Sequence, residues 1–361
     1  PFYELFTGSP PFESKDNLEL IHCHLARQPV EPYIQNTDLP EPLSQIIMKL
    51  LSKDASQRYQ SSLGLCSDLN ICLKLHRSQA KETFTIGQED ISERFEIPQK
   101  LYGRESTISA LKKSFDLATK GQQALTLISG YAGIGKSSLA HEIRQHITQH
   151  HGFFASGKFD QYHRNRPYTA IYQALQTLIR QLLTESDDQI NHWRKALLAA
   201  TGSNAQELFR LIPELELILG QQPIAEKLSP SEEQHRFSHI IRQILKVFAT
   251  SEHPLVLFFD DLHWADLSSL KLLDKLSHNP QHPNLLIIGS YRTQNYSANH
   301  PFNLAIEHLK QAPVEVQSLA IEPLLIGDVH QLIIDTLGQN KDKCLALAEI
   351  CFEKTQGNPF F

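Results

Sequence analysis

The sequence predicts a three-layer α/β fold built on a parallel sheet, preceded by an all-α segment and followed by the start of a helical lid. From about residue 98, short apolar stretches of strand length alternate with longer amphipathic helices. This alternation favours parallel strands joined by crossover helices. Residues 1–76 contain amphipathic helices only and leave no room for such a sheet.

The all-α segment, residues 1–76, is predicted to contain a short helix that ends before Gly8, and three longer helices. The longer helices are expected around residues 18–25, 42–51 and 61–75. The inward side of the last is predicted to carry Leu63, Cys66, Leu69 and Leu73 or Leu75. Residues 77–97 are polar, charged and aperiodic, and they are predicted to form a linker.

The α/β segment, residues 98–319, has its strand and helix candidates in alternating order. The predicted strands are residues 124–129, 153–157, 255–259, 285–290 and 314–319. The predicted helices are residues 105–119, 136–149, 166–183 and 233–249. Residues 320–361 are helical in pattern again and are predicted to begin a lid.

Composition limits the classes of protein that fit. The 361 residues carry 34 Lys+Arg and 40 Asp+Glu, and this net charge of −6 without basic blocks argues against a nucleic-acid ligand. No apolar run reaches the roughly 18 residues of a membrane-spanning helix. The five cysteines show no CxxC spacing and are odd in number, and no signal peptide is expected, so reduced thiols in the cytoplasm are predicted. Because the chain begins at Pro1 and has Met48 as its sole methionine, we expect a piece of a longer polypeptide.

A phosphate-binding loop is predicted at residues 130–137, where the sequence GYAGIGKS fits G-x-x-x-x-G-K-S/T. Its glycines let backbone N–H groups curl around a phosphate without Cβ clashes, and they are Gly130, Gly133 and Gly135. Lys136 is expected to bring a positive charge to the β and γ phosphates, and Ser137 to ligate Mg²⁺. Ser138 completes the predicted nucleotide-binding set. The loop follows an apolar strand and opens a helix, so ATP and Mg²⁺ are the predicted ligands.

A second motif consists of Asp260 and Asp261, which follow the predicted strand at 255–259. An aspartate at the carboxyl end of a strand next to the loop strand can hold Mg²⁺, and this role is assigned to Asp260. Asp261 is then placed to orient or deprotonate the attacking water. The alternative is a solvated turn that carries two acids.

Arg292 follows the next apolar strand and is placed to reach a γ-phosphate, with an exposed structural arginine as the alternative. The predicted catalytic set is therefore Lys136, Asp260, Asp261 and Arg292, and the predicted metal ligands are Ser137 and Asp260.

The histidines of the sequence give no metal-binding motif. His22 and His24 are two residues apart, so on a helix their side chains diverge by about 200°. His146, His150 and His151 lie near a predicted helix end, where an interaction with the helix dipole is the simpler account.

Three stretches around the loop resemble the STAND signalling ATPases, an AAA-related group. They are residues 101–105 (LYGRE), 259–266 (FDDLHWAD) and 357–359 (GNP). In that family the segment before the loop and the proline of the last element border the adenine. The resemblance implies that the residues near the base are Tyr102, Gly103, Arg104 and Pro359. Asp261 stands where fast AAA motors usually carry glutamate, and this fits a slow switch better than a motor.

The N-terminal segment resembles the last third of a Ser/Thr protein kinase C-lobe. The resemblance rests on residues 3–8 (YELFTG), 11–12 (PF), 24–26 (HLA) and 53–59 (KDASQRY). The Gly-rich loop, the ATP-binding lysine, the catalytic Asp loop and the Mg²⁺-binding Asp of a kinase are absent from this chain. We therefore do not expect this segment to transfer phosphate.

A kinase segment, a linker and a STAND ATPase in this order resemble large bacterial hybrids that continue into a GAF domain and a histidine kinase. Residues 157–161 (GKFDQ) and 164–168 (RNRPY) resemble the same subgroup. The resemblance implies an ATP-binding, slowly hydrolysing regulatory switch. Its expected partners are the other domains of the same signalling polypeptide and, in nucleotide-dependent self-association, further copies. One alternative is a nucleotide-holding or partner-binding scaffold without turnover. A weaker one is a STAND-type transcription regulator.

Overall fold

The structure is a computed structural model, and its chain divides into two compact units. The first unit comprises residues 1–98 with 332–344, and the second comprises residues 99–331 with 345–361. The residues that the structure describes are 2–13, 23, 27–53, 57–78, 84–90, 98, 100–163, 167–183, 185, 187–202, 205–209, 211–223, 230–279, 281–293, 301–337 and 341–361.

The N-terminal part of the first unit is helical, as predicted. Its described helices are α1 (Phe2–Thr7), α2 (Pro32–Gln35), α3 (Glu41–Leu50) and α4 (Ser62–Ser78). Buried Tyr3 anchors α1, because its ring packs with Leu39 and Ile47 while its hydroxyl donates to the carbonyl oxygen of Val30 at 2.8 Å. The helix predicted at residues 18–25 lies, apart from Cys23, outside the described residues.

The predicted inward face of α4 is wrong. Leu63 and Leu73 are exposed, whereas Gly64, Asp68 and Cys72 are buried. Cys66 is also exposed, and Leu69 and Leu75 are half-buried, so the apolar periodicity did not identify the most deeply buried face of the helix.

The reason is a polar contact between α4 and residues 84–90, a part of the predicted linker. The Asp68 carboxylate accepts hydrogen bonds from the Tyr59 hydroxyl at 2.5 Å and from the Gly87 backbone N–H at 2.7 Å, and these bonds offset the cost of its burial. Gly64 allows the close approach, because a Cβ there would lie 2.5 Å from the Cα of Asp90.

The second unit contains a parallel sheet of five described strands in the order β2-β3-β4-β1-β5. The strands are β1 (Ala124–Gly130), β2 (Phe153–Lys158), β3 (Leu255–Asp260), β4 (Leu285–Arg292) and β5 (Glu315–Ile321). Each predicted strand is confirmed to within two residues. The predicted parallel α/β architecture is confirmed with them.

The expectation that the strand ending in Asp260 lies next to the loop strand is wrong. β4 lies between them, with Leu286 paired to Ala124 of β1 on one side and to Val256 of β3 on the other. The physical reason is a crossover: β1 is flanked by β4 and β5, which come later in the sequence. Strand order along a sheet depends on such long-range pairing and cannot be read from chain order.

Helices cover both faces of the sheet. Those within residues 99–310 are α5 (Glu105–Thr119), α6 (Lys136–Glu142), α7 (Arg144–Gln149), α8 (Thr169–Leu182), α9 (Asp187–Thr201), α10 (Ala205–Phe209), α11 (Glu214–Leu219), α12 (Pro230–Phe248), α13 (Leu267–His278) and α14 (Pro301–Lys310). The helix predicted at 136–149 is interrupted at Ile143. The helices α9 to α11, α13 and α14 have no counterpart in the sequence prediction. The C-terminal helices are α15 (Ile326–Leu337) and α16 (Lys341–Thr355).

The core consists of two apolar layers, one on each side of the sheet. All six residues of β3 are buried. Leu255, Leu257 and Phe259 belong to one apolar cluster, while Val256 and Phe258 belong to the other. Because successive side chains of a strand point to opposite faces, this alternation establishes the three-layer arrangement. Among the helices of the described residues, none has both the length and the apolar character needed to cross a bilayer.

Gly157 offers a test of the packing between β2 and α8. A Cβ at this position would overlap the backbone carbonyl oxygen of Ala170, which cannot move without shifting α8. We expect Gly157→Ala to lower the free energy of unfolding by about 3 kcal/mol, as overpacking does. Urea denaturation at 25 °C measures this change.

Gly327 is the matched control, because an added Cβ there meets no atom within 4 Å and the residue lies in α15. Gly327→Ala should change the unfolding free energy by less than about 1 kcal/mol, in the stabilising direction. Equal losses in the two variants would show that the contact with Ala170 does not set the packing.

Candidate functional site

The predicted phosphate-binding loop connects β1 to α6. Gly133 and Gly135 have φ values of 76° and 96°, which place both in the left-handed region that favours glycine. A close contact also favours glycine at position 133, because a Cβ there would lie 2.6 Å from the Cβ of Phe360. Gly135 is the N-cap of α6, so Lys136, Ser137 and Ser138 form the first turn of that helix.

Lys136 is buried beneath the loop. Its Nζ donates hydrogen bonds to the carbonyl oxygens of Gly130 at 3.1 Å and Tyr131 at 2.7 Å. Burial lowers the pKa of Lys136, while the nearby carboxylates of Asp261 and Asp260 act in the opposite direction. The lysine is therefore a desolvated cation held against the loop backbone.

Asp260 is the point where the loop and two strands meet. The Ser137 hydroxyl donates to its Oδ2 at 2.7 Å, so the structure brings these two residues together although a strand separates β3 from β1. Its Oδ1 accepts from the Ser290 hydroxyl at the end of β4 and from the backbone N–H of Asp261 at 3.1 Å. A hydroxyl and a carboxylate oxygen side by side are donors that suit Mg²⁺.

Asp261 has a strained backbone that its neighbours hold in place. Its φ is 56°, a left-handed value that aspartate tolerates better than most residues. The backbone N–H of Asp261 donates to Asp260 Oδ1 and also to Ser290 Oγ at 3.1 Å, and these bonds fix the turn. Strain of this kind is retained where the surrounding structure over-determines it, and it is frequent at functional sites.

The side chain of Asp261 faces three basic groups. Its carboxylate lies 3.6 Å from Lys158 Nζ, 3.8 Å from Arg292 Nε and 3.9 Å from His263 Nδ1. Burial lowers the pKa of His263 to about 4, with Asp261 opposing this shift, so the imidazole is neutral at pH 7. Of the three basic groups within 4 Å of Asp261, the charged ones are therefore Lys158 and Arg292.

Sequence reasoning missed two residues of this cluster, Ser290 and Lys158. Each follows the apolar part of a parallel strand, and polar residues at such positions share one edge of the sheet. That signal could have placed both beside Asp260 and Asp261.

The predicted adenine-bordering residues before α5 contact the segment that follows β5. Gly103 has a φ of 62°, and a Cβ there would overlap the Asp328 carboxylate. The Arg104 guanidinium donates to the carbonyl oxygen of Glu322 at 2.8 Å. Burial lowers the pKa of Arg104, while Asp328 and Glu105 oppose the shift. Tyr102 is buried alongside.

Pro359 is exposed, and its neighbours contact the phosphate-binding loop. Asn358 Nδ2 donates to the carbonyl oxygen of Ala132 at 3.0 Å, and Asn358 Oδ1 accepts from the backbone N–H of Phe360 at 3.1 Å. The Gly357 carbonyl oxygen accepts from the backbone N–H of Leu324 at 2.8 Å. The C-terminal GNP element thus contacts both the loop and the segment after β5.

Residues 100–288, just over half of the chain, match the family described as the AAA ATPase domain. The matched range includes the phosphate-binding loop and both aspartates, and it ends before Arg292 and the GNP element. Membership of the AAA ATPase domain family, which the sequence motifs predict, is confirmed by this match.

The chain is similar to parts of much longer proteins. The hybrid signal transduction histidine kinase G of Dictyostelium discoideum is 35% identical over 297 residues, which are 76% of this chain and 9% of that protein. The serine/threonine-protein kinase PknB of Mycolicibacterium smegmatis is 30% identical over 80 residues, which are 22% of this chain and 12% of that protein. The chain thus spans about a tenth of the length of each relative.

A crystal structure of a STAND protein with a tetratricopeptide repeat sensor from Pyrococcus horikoshii is more distantly similar. The TM-score is 0.33 with 15% identity, over 74% of this chain and 30% of that chain. This likeness is too remote to support an argument about function.

Ser290 offers a test of the hydrogen bonds around Asp260. Ser290→Ala removes a donor to Asp260 and an acceptor for the Asp261 N–H, so we expect the free energy of unfolding to fall by about 1–2 kcal/mol. Urea denaturation measures this loss.

Ser277→Ala is the matched control. Ser277 is also fully buried, but its hydroxyl has no hydrogen-bond partner among the described residues. Removing an unpaired buried hydroxyl should leave stability unchanged or raise it slightly. A loss at Ser290 no larger than at Ser277 would contradict the role assigned to the Asp260 cluster.

Proposed function

The chain belongs to the AAA ATPase domain family, and we propose that it is a switch that binds ATP with Mg²⁺ and hydrolyses it slowly within a larger signalling kinase. The observation that carries the proposal is the convergence of Ser137, Asp260 and Ser290, which joins the phosphate-binding loop to the ends of β3 and β4.

The loop fits a nucleotide phosphate. Gly133 and Gly135 hold the backbone in the left-handed conformations that turn N–H groups inward, and the N-terminus of α6 favours an anion. Lys136 Nζ, which donates to two loop carbonyls, has the charge and the position to bind the β and γ phosphates instead. When bound, ATP supplies the phosphoanhydride bond and Mg²⁺ the charge that stabilises phosphoryl transfer. Ser137 and Asp260 would hold the ion.

We assign Asp261 the role of orienting or deprotonating the attacking water. Its strained backbone projects the carboxylate from the carboxyl end of β3, beside Asp260. In the structure the same carboxylate lies next to the cations of Lys158 and Arg292. These partners compete for the lone pairs that a general base needs, and this supports slow turnover.

The proposed coupling between nucleotide and signal runs through the C-terminal GNP element. Asn358 donates to the loop carbonyl at Ala132, and Phe360 lies against Gly133. A phosphate that reshapes the loop changes both contacts. This arrangement supports a switch whose lid responds to the state of the loop, with Tyr102, Gly103, Arg104 and Pro359 as the proposed adenine-bordering residues.

We also propose the larger protein to which the chain belongs, its partners and its location. Similarity to a hybrid histidine kinase supports a role inside a multidomain signalling polypeptide, and similarity to PknB over 22% of the chain supports residues 1–76 as the end of a Ser/Thr kinase C-lobe. The other domains of that polypeptide are the proposed partners, together with nucleotide-dependent self-association. The proposal includes a cytoplasmic location and no nucleic-acid ligand, on the grounds of the cysteine pattern and the net charge of −6.

A scaffold that holds nucleotide without turnover is the second candidate. The observation that favours it is the pairing of Asp261 with Lys158 and Arg292, because a carboxylate that keeps both cations does not activate water. A single-turnover assay separates the two functions, since a scaffold leaves bound ATP intact for hours.

Lys136→Ala tests nucleotide binding. Loss of the buried ammonium should weaken Mg-ATP binding by about 10- to 100-fold, because charge-assisted bonds to phosphate are lost. Isothermal titration calorimetry measures the affinity. Lys113→Ala, which removes an exposed lysine of α5, is the control and should bind ATP as the parent does. Parent-like affinity in Lys136→Ala would overturn the proposed phosphate site.

Asp261→Asn tests hydrolysis separately from binding. Asparagine keeps the side-chain shape and tolerates the left-handed backbone, but it cannot accept a proton. We expect unchanged ATP affinity and a loss of turnover of about 100-fold or more, measured by phosphate release under single-turnover conditions. Asp116→Asn, at a half-exposed carboxylate of α5, serves as the control. Turnover that Asp261→Asn leaves intact would remove the role assigned to this carboxylate.

A further inference from the structure

A cluster of metal-ligand side chains lies between α13 and α14, outside the loop-and-acid site. Asp274 and His278 are four residues apart on α13 and so share one face of the helix, and His308 comes from α14. One ligand atom from each residue lies within 4.8 Å of the other two. Across the residues that the structure describes, no other group of three His, Cys, Asp or Glu side chains converges in this way.

The contacts centre on one carboxylate oxygen. Asp274 Oδ1 lies 3.1 Å from His278 Nδ1 and 2.5 Å from His308 Nδ1. The two imidazole rings stack with their centroids 4.2 Å apart and 19° between their planes. Two ring nitrogens and one carboxylate oxygen thus converge near the protein surface. His278 Nδ1 also lies 3.1 Å from the backbone oxygen of Asp274, a contact that a bound ion would replace.

We propose that Asp274, His278 and His308 form a binding site for a borderline divalent transition-metal ion such as Zn²⁺. Two imidazole nitrogens with one carboxylate oxygen are a donor set that Zn²⁺ accepts, whereas Mg²⁺ prefers oxygen donors alone. The site is therefore chemically distinct from the proposed nucleotide-linked Mg²⁺ site at Ser137 and Asp260. A fourth coordination position is left for water, because all three side chains are partly exposed.

Binding requires a small rearrangement that the site permits. A tetrahedral ion with bonds of about 2.0–2.1 Å separates its donor atoms by about 3.4 Å, so the two oxygen–nitrogen distances must open by less than about 1 Å. Stacked rings cannot both contain one ion in their planes, so one ring must turn. His308 is the ring that turns, since its side chain is 57% exposed.

The position of the site between α13 and α14 determines what a bound ion would do. α13 begins six residues after Asp261, and β4, which ends at Arg292, precedes α14. An ion shared by Asp274, His278 and His308 would fasten these two helices to each other. It should raise the Tm as the free ion concentration increases above its Kd, because it binds the folded chain preferentially.

The test is a titration of the nucleotide-free full chain with Zn²⁺ or Co²⁺ in excess Mg²⁺, which keeps oxygen-only sites filled. Calorimetry gives affinity and stoichiometry, the visible spectrum of Co²⁺ gives its coordination, and a thermal melt gives Tm. We expect one equivalent to bind, with a tetrahedral Co²⁺ spectrum and a raised Tm. His308→Ala and Asp274→Asn should each weaken binding by about tenfold or more.

His150→Ala is the matched control. His146 and Asp116 also form a pair, with His146 Nε2 3.0 Å from Asp116 Oδ1, and the His150 ring lies beside His146. His150 Nδ1 contacts the backbone oxygen of His146 at 2.9 Å, as His278 Nδ1 contacts that of Asp274, but Asp116, His146 and His150 do not bring three ligand atoms within 4.8 Å of one another. Zn²⁺ affinity in this variant should equal that of the parent.

Three results would overturn the proposal: parent-like affinity in both His308→Ala and Asp274→Asn, equal loss in His150→Ala, or absence of a one-equivalent phase in the parent. None of these outcomes depends on ATP binding or hydrolysis, so the metal site and the proposed switch stand or fall separately.

Discussion

The hydrogen-bonded carboxylate of Asp260 is the interaction on which the arrangement of the site depends. It binds the Ser137 hydroxyl from α6, the Ser290 hydroxyl from β4 and the backbone N–H of Asp261. Ser137 and Ser290 lie far from Asp260 in the chain, whereas Asp261 follows it directly, and the carboxylate accepts a hydrogen bond from a polar group of each. The left-handed turn at Asp261 follows from the same contacts, because its N–H is shared by Asp260 and Ser290. The same hydrogen bonds therefore fix the position of the loop, the direction of the Asp261 side chain and the end of β4.

The fold was largely predictable, because its strongest signals are local. β3 is buried on both faces, so its sequence is a continuous apolar run that ends at the first carboxylate. The order of the strands was not predictable in the same way: β4 separates β3 from β1 through pairing between distant residues. The prediction of the inward face of α4 was wrong for a related reason. Asp68 is buried by hydrogen bonds from Tyr59 and Gly87, and no helical periodicity records those partners.

The residues of the site also fall into two groups, those predicted from local motifs and those brought together by long-range packing. Lys136, Ser137 and Asp260 were predicted because the chemistry of phosphate and Mg²⁺ restricts residue types within short motifs. Ser290 and Lys158 belong to the cluster through the sheet order, which brings the carboxyl ends of β4 and β2 to either side of β3. The cluster of Asp274, His278 and His308 was missed as well, since His308 lies 30 residues from His278 and α14 was not predicted. Sequence spacing finds ligands on one helix, whereas this cluster needs the packing of two.

The strengths of the contacts argue for a switch rather than a fixed assembly. Lys158 and Arg292 approach Asp261 at 3.6 Å and 3.8 Å through side chains that are 66% and 36% exposed. Ion pairs with this exposure contribute about 0–1 kcal/mol each, so thermal motion and a competing phosphate can exchange them. The contact of Asn358 with the loop is a neutral hydrogen bond to the Ala132 carbonyl oxygen, which contributes about 1 kcal/mol. The buried bonds of Asp260 are costlier to break, because each would leave a desolvated polar group unpaired. The site therefore combines firmly held hydrogen bonds at Asp260 with weaker contacts of Lys158, Arg292 and Asn358. These weaker contacts can respond to nucleotide, as the proposed switch requires.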